Sequence, residues 1–496
     1  MTTSHPPQEA IPVPPGRTLA RFLSAAFSFP VMCMSLLVAA IYINLERGMT
    51  ETDIWWHLRD ARTLLENHIF LRSDTYSFSA AGSPWINFEW LSEIPYYLGF
   101  RAAGLQGLML VYFAILVLIY VGVYYRSWRA GADCKDAAIA TLAAICLGGV
   151  SMAPRTLLFG WLCLMGLLLI LDHFKRTGRG LWALPPLFLL WINFHGSWVF
   201  GFVVLGATIL SGLVEGQWGL VVAKRWSPAQ LKKLVIATLA SFAALFINPF
   251  GYRLVWYPFD LLLRQQGVMQ NIDEWQPVDF GSINGKLALV LIFAVLAAVL
   301  FSRRRWALDD AVLTAFAIWV GLSHARFMFF AGLIVVPILA PALRLFPSYD
   351  PELDKRWLNA IVIAGVVAAM VFFFPDEAQL QRKIDTAFPK AALDFMQRQH
   401  IDGRLFNQYG WGGYIEWHAP EMKPGIDGRA DIFVYNGVFA DFLDAMALKR
   451  SFATLDKYRI DYVLIQPKEP MAYLLKESPA WRRIYSDNVA VLFQRN

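Results

Sequence analysis

Charge is what this sequence lacks. Only 17% of its 496 residues are Asp, Glu, Lys or Arg, whereas 57% are hydrophobic and the mean hydropathy is +0.44. A soluble domain of this size needs more charge to cover its surface, so that class is excluded. Cysteine is also scarce. Cys33, Cys146 and Cys163 fall in apolar runs and Cys134 in a short basic loop, a spacing that suggests neither a zinc site nor a disulfide framework. GxSxG, HExxH, a Walker A loop and a dinucleotide fingerprint are missing too, which argues against hydrolase, zinc-protease and nucleotide-driven chemistry. The net charge of +6 does not signal nucleic acid, because the basic residues sit mostly in short loops between apolar runs.

Those runs recur at membrane-crossing length, so the chain reads as a polytopic α-helical membrane protein. Hydropathy predicts about eleven transmembrane helices, near 24–45, 105–125, 137–152, 156–172, 181–193, 197–213, 234–247, 287–301, 309–323, 327–342 and 357–374. The 181–193 run is short. Its flanks "HFKRTGRG" and, after 213, "AKRWSPAQLKK" are both basic, and a hairpin turning at "NFHGS" keeps them on one side. With the N-terminus cytoplasmic, the inner segments hold 18 Lys/Arg in 83 residues and the outer ones 10 in 107, the asymmetry that orients membrane proteins. The expected location is a bacterial cytoplasmic membrane.

Three regions follow. Residues 1–23 are proline-rich and expected to be a disordered cytoplasmic N-terminus. Residues 24–375 form the transmembrane domain, with an uncleaved first span and a first extracytoplasmic loop at 46–104. Residues 376–496 carry 16 basic and 16 acidic residues and are expected to form a small extracytoplasmic α/β domain. There "RLFNQY", "YIEWH", "DYVLIQ" and "RIYSDNVAVLFQR" read as strands, and "PKAALDFMQRQ" and "VFADFLDAMALKR" as helices.

The stretch "ETDIWWHLRDARTLLEN" opens the first outer loop. As a helix over 53–65 it has an apolar stripe of Ile54, Leu58, Ala61 and Leu65, and a polar face of Asp53, Trp56, His57 and Asp60. Such a helix is expected to lie in the interface with its stripe in lipid and its carboxylates toward the protein. A second interfacial helix, in "NFEWLSEIPYYLGF", places Glu89 and Glu93 on one side, with Pro95 interrupting it.

Unusual polar residues crowd the predicted outer ends of the spans. They are Asp53, His57, Glu89, Glu93, Arg155 in "MAPRTLLFG", Asn193 and His195 in "LWINFHGSW", Asn248 in "INPFGYR", Asp273 and Glu274 in "NIDEWQP", and His324 and Arg326 in "LSHARFMFF". Ionisable groups near hydrocarbon are costly and pair or line a cavity, so one shared outward-facing hollow accounts for all of them.

A first span, an acidic residue opening a large outer loop with two interfacial helices, many short spans and an outer C-terminal domain together resemble the GT-C superfamily of integral-membrane glycosyltransferases. Protein O-mannosyltransferases, aminoarabinose transferases and oligosaccharyltransferases belong to it. "DIWWHLRDAR", "SDTYSFSAAGSPWINFEWLSE", "WINFHGSW", "INPFGYR", "DEWQP", "HARF", "YGWGGYIEW" and "DGRAD" are similar to an uncharacterised bacterial group of GT-C-like proteins.

The resemblance implies a sugar donor carried on a polyprenyl phosphate, with Asp53 as the acidic residue after the first span that acts as base or orients the acceptor. No second acidic residue follows directly, since Ile54 stands there. Sugar transfer from a lipid phosphate needs a carboxylate to take the acceptor's proton and cations to hold the leaving phosphate. Asp53 is the expected base and Arg155 and Arg326 the donor-phosphate binders. His57, Glu89, Glu93, His195, Asp273, Glu274 and His324 are expected to support them or bind substrate. The expected partners are the bilayer, the lipid-linked sugar and an unidentified acceptor. A divalent metal cofactor stays open, because no ligand spacing dictates one. Two other readings are a transporter or flippase of a lipid-linked substrate and an inactive GT-C-like scaffold.

Overall fold

The computed structural model describes residues 23–264, 273–302 and 304–496. The proline-rich start, residues 1–22, lies outside the described residues. A helix occupies each of the eleven apolar stretches, from Phe29–Tyr42 through Leu157–Thr177 and Ile283–Phe301 to Arg356–Phe372. Among the described residues four helices are long and apolar enough to cross a membrane. A fifth arises if Arg356–Phe372 and Glu377–Asp385, bent by 63°, form one span. The others are shorter. Leu184–Phe194 has 11 residues, about half of the rise that a hydrocarbon core demands, and joins Trp198–Ser211 through the expected turn at His195–Ser197. The Ile283–Phe301 helix leaves Val290, Phe293 and Phe301 exposed, a surface that requires lipid rather than water.

The two ends of the bundle gather different chain segments. At one end, strand Val221–Ala223 pairs with Gly216–Trp218 and, in parallel, with Trp306–Ala307, joining two loops rich in Lys and Arg. Nearby segments tie together through carboxylates: Asp136 accepts from Leu345 N (3.2 Å), and Asp354 from Phe29 N (3.2 Å) and Asn359 (2.7 Å). The opposite end collects the first long loop, residues 153–156, 195–197, 273–279 and 324–327, and the C-terminal domain.

The second interfacial helix is present and runs through Pro95. It is the first half of Trp90–Arg129, which breaks at Ala103 and Gly104 (φ 59°). The break creates a new helix start whose free N–H groups need partners. Glu377 supplies them, accepting from Leu105 N (3.0 Å) and Gln106 N (3.3 Å).

The Ile54–Asn67 helix departs from expectation. Its stripe does not face lipid: Ile54, Leu58 and Ala61 are buried in protein, as are Trp55 and Trp56. Trp55 meets Phe388, Tyr414 and His418 edge-on, and Trp56 meets Trp85. The helix is sandwiched between Trp90–Arg129 and Gly412–His418 of the C-terminal domain, which takes the place that the bilayer was expected to fill.

In that domain a four-stranded sheet runs Leu405–Asn407, Tyr462–Ile465, Val491–Arg495, Trp481–Ser486. The first pair is parallel and the other two antiparallel, the last forming the expected hairpin. "YIEWH" is helical, not a strand. A run this short fits either period, and the helix buries Tyr414, Ile415 and Glu416 together at the junction with Ile54–Asn67. The two hydrophobic clusters both cross this junction. One carries Ile415 and Leu492 with the bundle, and the other carries Trp56, Ala80 and Trp85 with Phe406 and Phe439.

Candidate active site

Asp53 stands at the N-cap of the Ile54–Asn67 helix, partly open, while the side chains around it are mostly buried. Burial, then Glu51, pushes its carboxyl up to about 8; Arg155 opposes and Glu89 adds to the rise. Glu51, two residues upstream, is a second carboxylate near Asp53, although the position directly after Asp53 is Ile54. Arg155 lies between two acids, with Nε 2.6 Å from Glu51 and Nη1 2.5 Å from Glu274. Burial works against its charge, but the two carboxylates outweigh burial and raise its pKa. Burial likewise opposes ionisation of Glu274, and the bond to Arg155 overcomes it, holding Glu274 below the usual range.

Arg326 is arranged differently. Its guanidinium lies over the Trp275 ring at 4.6 Å, and its buried Nε has no hydrogen-bond partner among the described residues. His324 is turned away from this role, its Nδ1 being 2.7 Å from the Trp275 carbonyl. That contact sets the ring under Arg326. The side chain of Asp273 lies outside the described residues.

A second set of groups continues from Glu89. Thr156 donates to Glu89 Oε1 (2.6 Å), and His195 Nε2 lies 3.3 Å from the same oxygen. Ser197 N donates to His195 Nδ1 (2.9 Å), so Nε2 carries the proton on the side of Glu89. His57 bridges two acids, Nδ1 being 2.9 Å from Glu93 and Nε2 4.0 Å from Glu89. Asn87 donates to Glu93 (3.0 Å) and to Asp60 (2.7 Å). Burial lowers His195 to about 3 and His57 to about 4, so both rings are neutral near pH 7. Burial, then Glu93, holds Asp60 well above the usual carboxylate range.

The C-terminal domain brings a third set, absent from the expected site. Arg429 of "DGRAD" is sealed inside: Nη2 is 2.6 Å from Asp427 and 2.7 Å from Asp74, with Glu416 at 3.6 Å. Its guanidinium also lies over Trp85 (4.9 Å) and Tyr76 (5.0 Å) of the first loop. Asp431 accepts from Tyr257 (2.7 Å), and burial raises its pKa to about 6. In "INPFGYR", Asn248 makes the expected turn, binding Leu245 O (2.7 Å) and Gly251 O (3.0 Å), and Asn193 accepts from Trp90 (3.0 Å). Both are structural.

The structure therefore brings Asp53, His57, Glu89, Glu93, Arg155, His195, Glu274 and Arg326 to one end of the bundle. Sequence inspection overlooked Glu51, Asn87, Thr156, Asp74, Asp427, Arg429, Asp431 and Tyr257 as site residues. Only Glu51 carried a signal, its closeness to Asp53. Among the described residues no group of three or more His, Cys, Asp and Glu is arranged to hold a metal ion.

No protein-family model and no curated protein sequence matches this chain. Among solved structures it is similar to the archaeal oligosaccharyltransferase AglB from Archaeoglobus fulgidus, in complex with an inhibitory peptide and a dolichol-phosphate. The TM-score is 0.53 at 11% identity, over 87% of this chain and 69% of that one. The chain thus shares the overall fold of that structure.

Proposed function

We propose that the chain is a glycosyltransferase that moves a sugar from a polyprenyl-phosphate carrier to an acceptor at the outer face of a bacterial cytoplasmic membrane. The N-terminus lies inside, the chain crosses eleven times and the C-terminal domain lies outside. What supports this most is the partly open Asp53, whose charge reaches Arg326, a guanidinium without an ion pair among the described residues, in a fold similar to that of an oligosaccharyltransferase.

Asp53 in its ionised form takes the proton of the acceptor as the acceptor atom bonds to the anomeric carbon. The bond from that carbon to the phosphate oxygen breaks, and the pair of electrons leaves on the lipid phosphate, with inversion at the carbon. Arg326 holds the leaving phosphate, because a guanidinium fork matches phosphate oxygens and this one has donors to spare. Arg155 is already divided between Glu51 and Glu274, so it orients those acids and contributes positive field rather than direct phosphate bonds. Glu89, held by Thr156 and His195, is placed to receive the proton from Asp53 or to orient the acceptor. His57, Glu93 and Asp60 keep the helix and its carboxylates in register.

The test is Asp53→Asn in cells of the source organism. Membranes lacking the wild-type chain should accumulate the sugar-loaded carrier lipid, and the variant should fail to clear it while assembling normally. A base removed in this way costs about 10²–10⁴ in rate. Full clearance by the variant would refute Asp53 as base.

A further inference from the structure

The glycine motifs of the C-terminal domain sit against the start of the Ile54–Asn67 helix. A Cβ on Gly413 would lie 3.0 Å from Trp56 N, and one on Gly412 would lie 2.1 Å from Ile426 O. The tightest approach is at Gly428. A Cβ there would fall 1.9 Å from Asp53 Oδ1 and 3.0 Å from its Cγ. Gly428 does not have a left-handed φ, so its backbone would accept a side chain. The Asp53 carboxylate already fills that space, so a methyl group there would turn this side chain, whose oxygen is its flexible far end, out of its present position.

The neighbours of Gly428 cannot yield easily. Asp427 and Arg429 on either side are fixed by the buried guanidinium, which ties them to Asp74 in the first loop. The carbonyl of Gly428 accepts from Ala430 N (2.8 Å) and lies 3.3 Å from Tyr409 Oη. A rigid piece of the C-terminal domain therefore sets its bare Cα against the partly open Asp53 carboxylate.

We propose that the C-terminal domain completes the active site, with Gly428 as a positioning residue that fixes the Asp53 carboxylate against the bundle. The direction of catalytic attack is thereby set by a domain distant in sequence, and "DGRAD" acts as the outer wall of the base. This rests on the transferase reading for its catalytic meaning, but the placement can be tested without any transfer.

The first experiment is a melting cycle on the full chain in nanodiscs with Gly428→Ala, Asp53→Ala and both. Gly428→Ala should lower the melting temperature, or prevent assembly, in the wild-type background. In the Asp53→Ala background, where the clashing carboxylate is gone, most of that loss should vanish or assembly should return. Equal losses in both backgrounds, or no rescue, would overturn the proposal.

The second experiment follows labelling of Asp53 by a hydrophobic carbodiimide, which consumes the protonated acid, against pH. Glu51, Glu89, Arg155, Arg326 and Tyr409 face this carboxyl from the surrounding elements. Burial is the largest influence on it, so displacement toward water should move the labelling midpoint down by about one pH unit in Gly428→Ala, roughly tenfold in protonation. An unchanged midpoint in the assembled variant would also overturn the proposal. Neither readout uses sugar transfer, so Asp53→Asn retaining activity would sink the transferase reading while leaving the placement of Gly428 standing.

Discussion

Arg429 and Arg326 are both arginines enclosed near the same end of the molecule, and they are built to opposite purposes. Arg429 is ringed by Asp427, Asp74 and Glu416, and its side chain is 1% exposed. Each guanidinium lies over an aromatic ring and has one buried nitrogen without a hydrogen-bond partner, Nη1 in Arg429 and Nε in Arg326, but Arg326 makes no ion pair among the described residues. A buried charge that is matched by its own protein holds a fold together. One that is left unmatched is costly unless a ligand arrives to match it. Under the proposed transferase reading, the contrast separates scaffold from site among residues of identical chemistry.

The comparison can be broken at several points. Arg429→Met leaves Asp74 and Asp427 buried without their cation and should cost about 3–5 kcal/mol of stability, read by thermal or denaturant unfolding of the full chain. A loss below 1 kcal/mol would mean that the carboxylates are solvated and that the lock is not one.

Arg326→Ala should leave stability nearly unchanged, since no ion pair is lost. Binding of undecaprenyl phosphate in nanodiscs should weaken by about 1.5–3 kcal/mol, with Arg326→Lys recovering only part. Unaltered binding with a lowered melting point would place Arg326 with Arg429 as scaffold.

Asp53 sharpens the contrast through pH. Its folded pKa near 8 lies above the ordinary 3.8, so the folded chain holds this proton more tightly than the unfolded one. The resulting stability is fully present below about pH 3.8 and is lost as pH rises toward 8, where it levels off. Asp53→Asn should therefore flatten the fall in melting temperature across that window. An identical slope in wild type and variant would show that the carboxyl titrates normally. Transfer itself should rise with pH through about 8 as the base ionises.

The smallest effect concerns the seam between the Tyr252–Arg264 helix and the C-terminal domain. Tyr257→Phe removes the bond to Asp431 and should cost about 1 kcal/mol in the same unfolding measurement. A neutral result would show that Asp431 finds another partner.

Much of this architecture was legible. Apolar runs marked every helix of the bundle, because hydrocarbon tolerates few other residues over that length. Asp53, Glu89, Arg155 and Arg326 stood out because charge beside an apolar run is rare and has to be explained. The reading failed where burial by protein and burial by lipid look alike in sequence. The stripe Ile54, Leu58, Ala61 is as apolar as an interfacial helix needs, yet the C-terminal domain covers it. The same blindness hid the alternative helix in "YIEWH" and the burial of the arginine in "DGRAD".

Sequence alone determined that the chain belongs in a membrane, that the eleven apolar stretches become helices and which segments carry unusual charge, since each follows from local composition against a fixed solvent. Tertiary structure alone decided which acid meets which arginine, how closely Gly428 approaches Asp53 and which guanidinium makes no ion pair among the described residues. Those depend on distances between residues hundreds of positions apart, and no local pattern encodes them.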